Sequence, residues 1–138
     1  MAGKQDSPDR EDVRALVAPL MDGRIEAGAF FTVGHGPGRR GVLSWMFDGV
    51  RRFARERRSG LAAFNYFAVN GPDLGVFELR WSPFHVRRVI GRWPIAEIDA
   101  KRTGRFEMEL TFGTRRVEVE AVAPGPDADA VIDRLTAY

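Results

Sequence analysis

The sequence predicts a mainly β (α+β) domain, an antiparallel seven-strand barrel or sandwich closed by a C-terminal helix, with an N-terminal helix and an inserted amphipathic helix added to it. Three observations lead there. Over residues 61–122, six stretches rich in β-branched and aromatic residues are separated by turn signals every eight to twelve residues, the rhythm of antiparallel strands. A seventh such stretch, IEAGAFFTV, lies upstream at 25–33. The 138 residues are 44% hydrophobic, enough for a single packed core rather than for two independent ones. A single domain over 1–138 follows.

In chain order, Ser7 then Pro8, with Asp9 and Glu11 behind them, read as an N-cap, a first-turn proline and dipole-compatible acids. Val13, Leu16, Val17 and Leu20 recur at helical spacing, and Pro19 with Asp22-Gly23 ends this helix (7–21) between Ala18 and Met21. The first strand, 25–33, is stopped by the glycine-rich GHGPGRRG at 34–41. From Val42 to Arg58 the period is helical again, with Leu43, Met46, Phe47, Val50, Phe53 and Ala54 on one face. This helix lies in an insertion spanning 34–60.

The region 61–138 then supplies the β-meander and the last helix. Its strands are 61–69, 74–81, 85–91, 94–102, 105–113 and 115–122, with turns expected at Asn70-Gly71-Pro72-Asp73, Ser82-Pro83, Trp93-Pro94, Thr103-Gly104 and Gly113-Thr114. Placing Gly113-Thr114 in a two-residue turn pairs Phe106 with Ala121, Met108 with Val119 and Leu110 with Val117 as an inner face. The same register sets Glu107 against Glu120 and Glu109 against Glu118 on the outer side. After Pro124-Gly125-Pro126, the positions Ala128, Val131, Ile132 and Leu135 repeat at helical spacing, so the closing helix packs on that hairpin.

Charge is distributed unevenly. Residues 1–34 carry four basic and six acidic groups, residues 35–60 seven and two, and residues 61–138 ten and eleven, so the insertion at +5 holds all of the excess of a chain whose net charge is +2. No basic stripe runs through the rest, which argues against nucleic acid as the partner. No apolar run reaches the roughly 18 residues of a membrane span. The polar start, MAGKQDSPDRED, has no secretory pattern. With no cysteine in the chain, disulfides, thiolate metal sites and cysteine nucleophiles are excluded, and a cytoplasmic location is the default expectation.

The stretches FNYFAVNGPDLGVFELRW, RWPIAEIDAKR and FEMELTFGTRRVEVEAV, followed by the terminal helix, resemble the small bacterial members of the pleckstrin-homology-like (PH-like) family. The resemblance covers 25–33 and 61–138. It implies two sheets of four and three strands with the last helix plugging one open end. The insertion stands where phosphoinositide-binding relatives carry a basic loop, but a helix replaces the loop and their lysine and arginine spacing is not reproduced. Bacterial relatives also serve as oligomerising or docking modules.

These readings predict a non-catalytic binding or assembly module. Arg39, Arg40, Trp45, Phe47, Arg51, Arg52, Phe53, Arg55 and Arg58 are its expected contact residues. Their composition suits a helix lying in a membrane interface, with arginines toward anionic headgroups, at the inner membrane face. It also suits a protein partner, or a stripe packed on the protein's own sheet, the commonest fate of such a pattern. Arg39 and Arg40 at the start of the helix form a second candidate, an anion site. Glu107, Glu109, Glu118 and Glu120 form an acidic face expected to serve self-association into a homo-oligomer, since like charges directly opposite one another call for compensation. The compensators considered are Lys101, Arg102 and Arg105, a divalent cation, or the basic helix. No cofactor or metal is expected. GHGPGRRG lacks both the P-loop and the dinucleotide spacing, and His35 and His85 belong to no catalytic motif, so no enzyme is expected. The alternatives are an enzyme with an unrecognised site and a small barrel holding an apolar ligand between residues such as Phe64, Phe77 and Phe106.

Overall fold

The computed structural model describes residues 10–33, 61–62, 64–81 and 84–137. Its strands are β1 (Ala27–Val33), β2 (Phe64–Asn70), β3 (Asp73–Trp81), β4 (Phe84–Pro94), β5 (Ile98–Gly104), β6 (Glu107–Phe112) and β7 (Arg115–Ala121). Helix α1 (Arg10–Val17) runs into a 3-10 turn at Ala18–Met21, and α2 (Pro126–Thr136) closes the chain. All pairings are antiparallel, in one open sheet ordered β4-β3-β2-β1-β7-β6-β5. The strands form one sheet rather than two because β1 pairs with β2 over Ala27–Thr32 and with β7 over Phe31–Val33.

The sheet is strongly curled. A flat sheet of this order would set its edge strands about 29 Å apart, at roughly 4.8 Å per strand. Yet β4 and β5 are joined only through Ile95–Glu97, a link that reaches about 14 Å at most. The two halves therefore face each other, and Trp93 of β4 packs on Phe112 of β6 with ring centroids 4.6 Å apart. Inside the curl, Phe31, Phe67, Val69, Leu74, Val76 and Ile98 share one core with Met108, Leu110, Val117 and Val119. Helix α2 adds Ala128, Val131, Ile132 and Leu135 to that core. The hairpin register is the one the sequence predicts, including Met108↔Val119, Leu110↔Val117 and the two glutamate pairs. Gly113 turns it with φ 63°, a conformation open to glycine at little cost.

A second, outer core explains why β2 is buried on both faces. Tyr66, Ala68 and Phe77 point away from the first core and meet Val13, Val17 and Met21 of α1 and its 3-10 turn. Leu20 is 43% exposed instead of sharing this face, because the chain tightens to 3-10 geometry at Ala18 and rotates Met21 inward. The close approach of Tyr66 requires Gly28, where a Cβ would lie 2.0 Å from the tyrosine oxygen. Ser7 and Pro8 lie outside the described residues.

Two turn positions differ from the prediction. Strand β4 runs on through Trp93 and Pro94, and the chain turns at Ile95–Glu97. Pro94 is tolerated there because β4 is an edge strand. Thr103 and Gly104 remain in β5, and the turn falls at Arg105-Phe106 with a bulge at the Gly104↔Glu107 pair.

Polar networks fix α2 and the strand ends beside it. Glu26 accepts hydrogen bonds from Arg134 (2.9 Å), Arg24 (2.5 Å) and the Gly71 amide (2.9 Å), while Arg134 also donates to the Gly71 carbonyl (2.6 Å). The Arg134 contact above all, then the Gly71 amide, holds the Glu26 carboxyl down to about 2. Arg92 pairs with Asp22 (2.5 Å) and Asp73 (2.8 Å), which draws the Asp22 carboxyl below its ordinary range. Arg102 reaches Asp133 (2.8 Å) and Asp129 (3.5 Å) of α2 and the carbonyl of Arg105.

Candidate functional site

The insertion leaves and returns at adjoining points. Val33 ends β1, Thr32 pairs with Phe64 at the start of β2, and the buried pair Leu61-Ala62 leads into that strand. Asn65, fully buried, secures the return. Its side-chain NH2 donates to the carbonyls of Ala62 (2.8 Å) and Phe31 (3.3 Å), and its side-chain oxygen accepts from the Ala62 amide (2.9 Å). A buried asparagine with these bonds made fixes the backbone on both sides of the junction. The predicted contact residues Arg39, Arg40, Trp45, Phe47, Arg51, Arg52, Phe53, Arg55 and Arg58 all lie outside the described residues.

Two hairpins share that end of the sheet. The β3–β4 hairpin lies beside the start of β2, and the Gly113-Thr114 turn projects beyond Val33, which pairs with Val119. Arg87 and Arg88 share a single partner, Glu78, at 3.0 and 3.2 Å, and Arg116 stands 3.9 Å from Glu109. Arg80 and Arg115 are exposed beside them.

The four predicted glutamates share the outer face of β6 and β7, but they are not equally accessible. Glu118 is exposed, Glu109 and Glu120 are half-buried, and Glu107 is buried at 8% exposure, folded against Gly104. None of Glu107, Glu118 and Glu120 is without a partner. Of the expected compensators, Lys101 sits directly across from Glu109, whereas Arg102 is turned away to the acids of α2. Beside this face, Thr32 pairs with Glu120 and is 6% exposed, its hydroxyl buried with no hydrogen-bond partner.

The residues named for an apolar ligand do not come together. Phe64 is 54% exposed on the outer face, Phe77 belongs to the core under α1, and Phe106 borders the inner core. A cleft of about 230 Å3 opens elsewhere, where β7 leaves β1, between Val13, Gly28, Phe30, Tyr66, Val122 and Asp127. It falls below the about 300–1,000 Å3 of small-molecule pockets. Among the described residues no group of three or more histidine, aspartate and glutamate side chains is placed to hold a metal ion, and no helix is long and apolar enough to cross a membrane.

Sequence reasoning missed Asn65 and the hubs at Glu26 and Arg92, which have partners 34 to 108 residues away. The one available signal was a polar residue inside an apolar strand, FNYFAV. No family model, curated protein or solved structure matches this chain.

Proposed function

We propose that the protein is a non-catalytic PH-like binding module that presents its basic insertion, with the two arginine-bearing hairpins beside it, to an anionic surface, whether the inner face of a membrane or an acidic partner protein. Support for the PH-like reading comes from the strand order, four meander strands joined through β1 to three more, and from α2 lying against β1 and β5. The observation that carries the functional reading is the attachment of the insertion. A segment of net charge +5 joins the scaffold beside Asn65, whose side chain bonds Ala62 and Phe31 on the two sides of the junction, at the end where Arg80, Arg115 and Arg116 are exposed. At about 1 kcal/mol per arginine near an anionic membrane, these groups together supply several kcal/mol of attraction.

Sedimentation with vesicles tests the reading. Binding to anionic but not zwitterionic vesicles is expected, weakening as salt rises from about 0.01 M to about 0.1 M and the screening length falls from about 30 to about 10 Å. Joint charge reversal at Arg51, Arg52 and Arg55 abolishes it. Arg80→Glu weakens it while leaving thermal stability within about 0.5 kcal/mol of the parent, as for an exposed site. Absence of binding to anionic vesicles at low salt removes the membrane surface and leaves the acidic protein partner.

A further inference from the structure

We infer that the outer face of the sheet from β3 across to β6 is the docking surface for the basic amphipathic segment 42–58 of this same chain. The docking competes with the anionic-surface reading for Arg51 and Arg55, so exchange measured in the absence of vesicles tests it apart from that reading.

The face is divided along β1. Phe64 is 54% exposed on the β2 side, and Leu79 and Val86, paired across β3 and β4, continue the apolar surface half-buried, where they border the outer core under α1. On the β7 side the same row continues through Glu120, and the next row carries Glu118 and Glu109. Thr32 lies on the dividing line. It is 6% exposed.

An apolar strip bordered by carboxylates on one side is complementary to a helix with an apolar stripe bordered by cations on one side. The segment has that form. At 100° per residue, Leu43, Met46, Phe47, Val50, Phe53 and Ala54 make the stripe, and Arg51, Arg55 and Arg58, spaced i, i+4, i+7, line one border of it. Laid along β1, such a helix sets its stripe on Phe64 and Leu79 and its arginine border over Glu118, Glu120 and Glu109. The tether favours this occupant over any other. The segment is joined to Val33 and Leu61, next to Thr32 and Phe64, so its effective concentration at the face is of the millimolar order set by a short connection.

Hydrogen exchange read by mass spectrometry on the full chain tests the assignment. In the parent, amides of 42–58 are expected to exchange at least about tenfold more slowly than in an unstructured chain. The double variant Glu109→Lys/Glu118→Lys, and separately Phe64→Ser, speed that exchange about tenfold while leaving β2 and β3 unchanged. Adding Arg51→Glu/Arg55→Glu to the lysine variant restores protection, as expected of two charge sets that face each other. Free-chain exchange of 42–58 in the parent overturns the inference, as does protection that both variants leave unchanged. Protection that disappears on dilution together with a dimer mass also overturns it, and transfers the face to a second copy. Should one variant fail to fold, seen as fast exchange in β2 and β3, the other decides.

Discussion

The two ends of the sheet use arginine in opposite ways. At the end covered by α2, four guanidiniums (Arg24, Arg92, Arg102 and Arg134) meet five carboxylates (Glu26, Asp22, Asp73, Asp129 and Asp133), and each ties separate segments together. At the end carrying the insertion, Arg87 and Arg88 share Glu78, Arg116 has a long contact to Glu109, and Arg80 and Arg115 stand exposed beside them. Among the described residues, the first end sets five carboxylates against its four guanidiniums, whereas at the second Glu78 and Glu109 serve Arg87, Arg88 and Arg116. The net charge of +2 over the whole chain does not reveal this. What distinguishes a stabilising arginine from one available to a partner is the number of carboxylates the fold brings to it.

The contrast breaks most visibly at the covered end. Ile132→Ala removes a fully buried side chain of the core that α2 shares with both halves of the sheet, so a loss of about 2–5 kcal/mol is expected in denaturant unfolding. A loss below about 1 kcal/mol would mean that α2 is an accessory to the core rather than part of it. At the insertion end the scaffold itself depends on one polar residue. Asn65→Ala leaves buried backbone groups of Ala62 and Phe31 without their side-chain partner, and should cost about 2–3 kcal/mol. The loss should be accompanied by faster amide exchange at Leu61 and Ala62 before the rest of β2.

The smallest expected effect sharpens the electrostatic side of the comparison. The Glu26 carboxyl titrates near 2 in the folded chain, below its ordinary value of 4.5. Its contribution is therefore fully present above about pH 4.5 and is lost as pH falls toward about 2. Glu26→Gln should flatten the stability curve in that window and leave the curve above it parallel to the parent's. An unchanged acid limb would show that the exposed pairs at this end contribute nothing measurable, as many surface ion pairs do.

Much of this fold was legible because its signals are local. Alternation in FEMELTFG and RRVEVEAV, together with Gly113-Thr114, specified a register that every pair of β6 and β7 obeys. The 3.6-residue spacing of Ala128, Val131, Ile132 and Leu135 specified the buried face of α2. The turns at Trp93-Pro94 and Thr103-Gly104 were displaced because an edge position tolerates Pro94 and a bulge absorbs Thr103, and neither context is visible in a short window. The glutamate face was found, yet the burial of Glu107 was not, because exposure depends on what lies above a strand rather than on its own alternation. Leu16 and Leu20 fit the helical period as well as Val17 does, and the change to 3-10 geometry at Ala18 decided between them.

Strand β1 has a consequence for the order in which the protein is made. Its partner β2 follows within one connection, but its other partner, β7, begins only at Arg115, and the pair Phe31↔Ala121 joins residues ninety positions apart. A ribosome adding about 5–20 residues per second exposes one side of β1 for several seconds before any native strand can cover it. The apolar run of β1 and β2 is thus most open to mispairing with other chains while synthesis is incomplete. Closure of the sheet is a late event dominated by distant contacts, the circumstance in which small domains fold slowly.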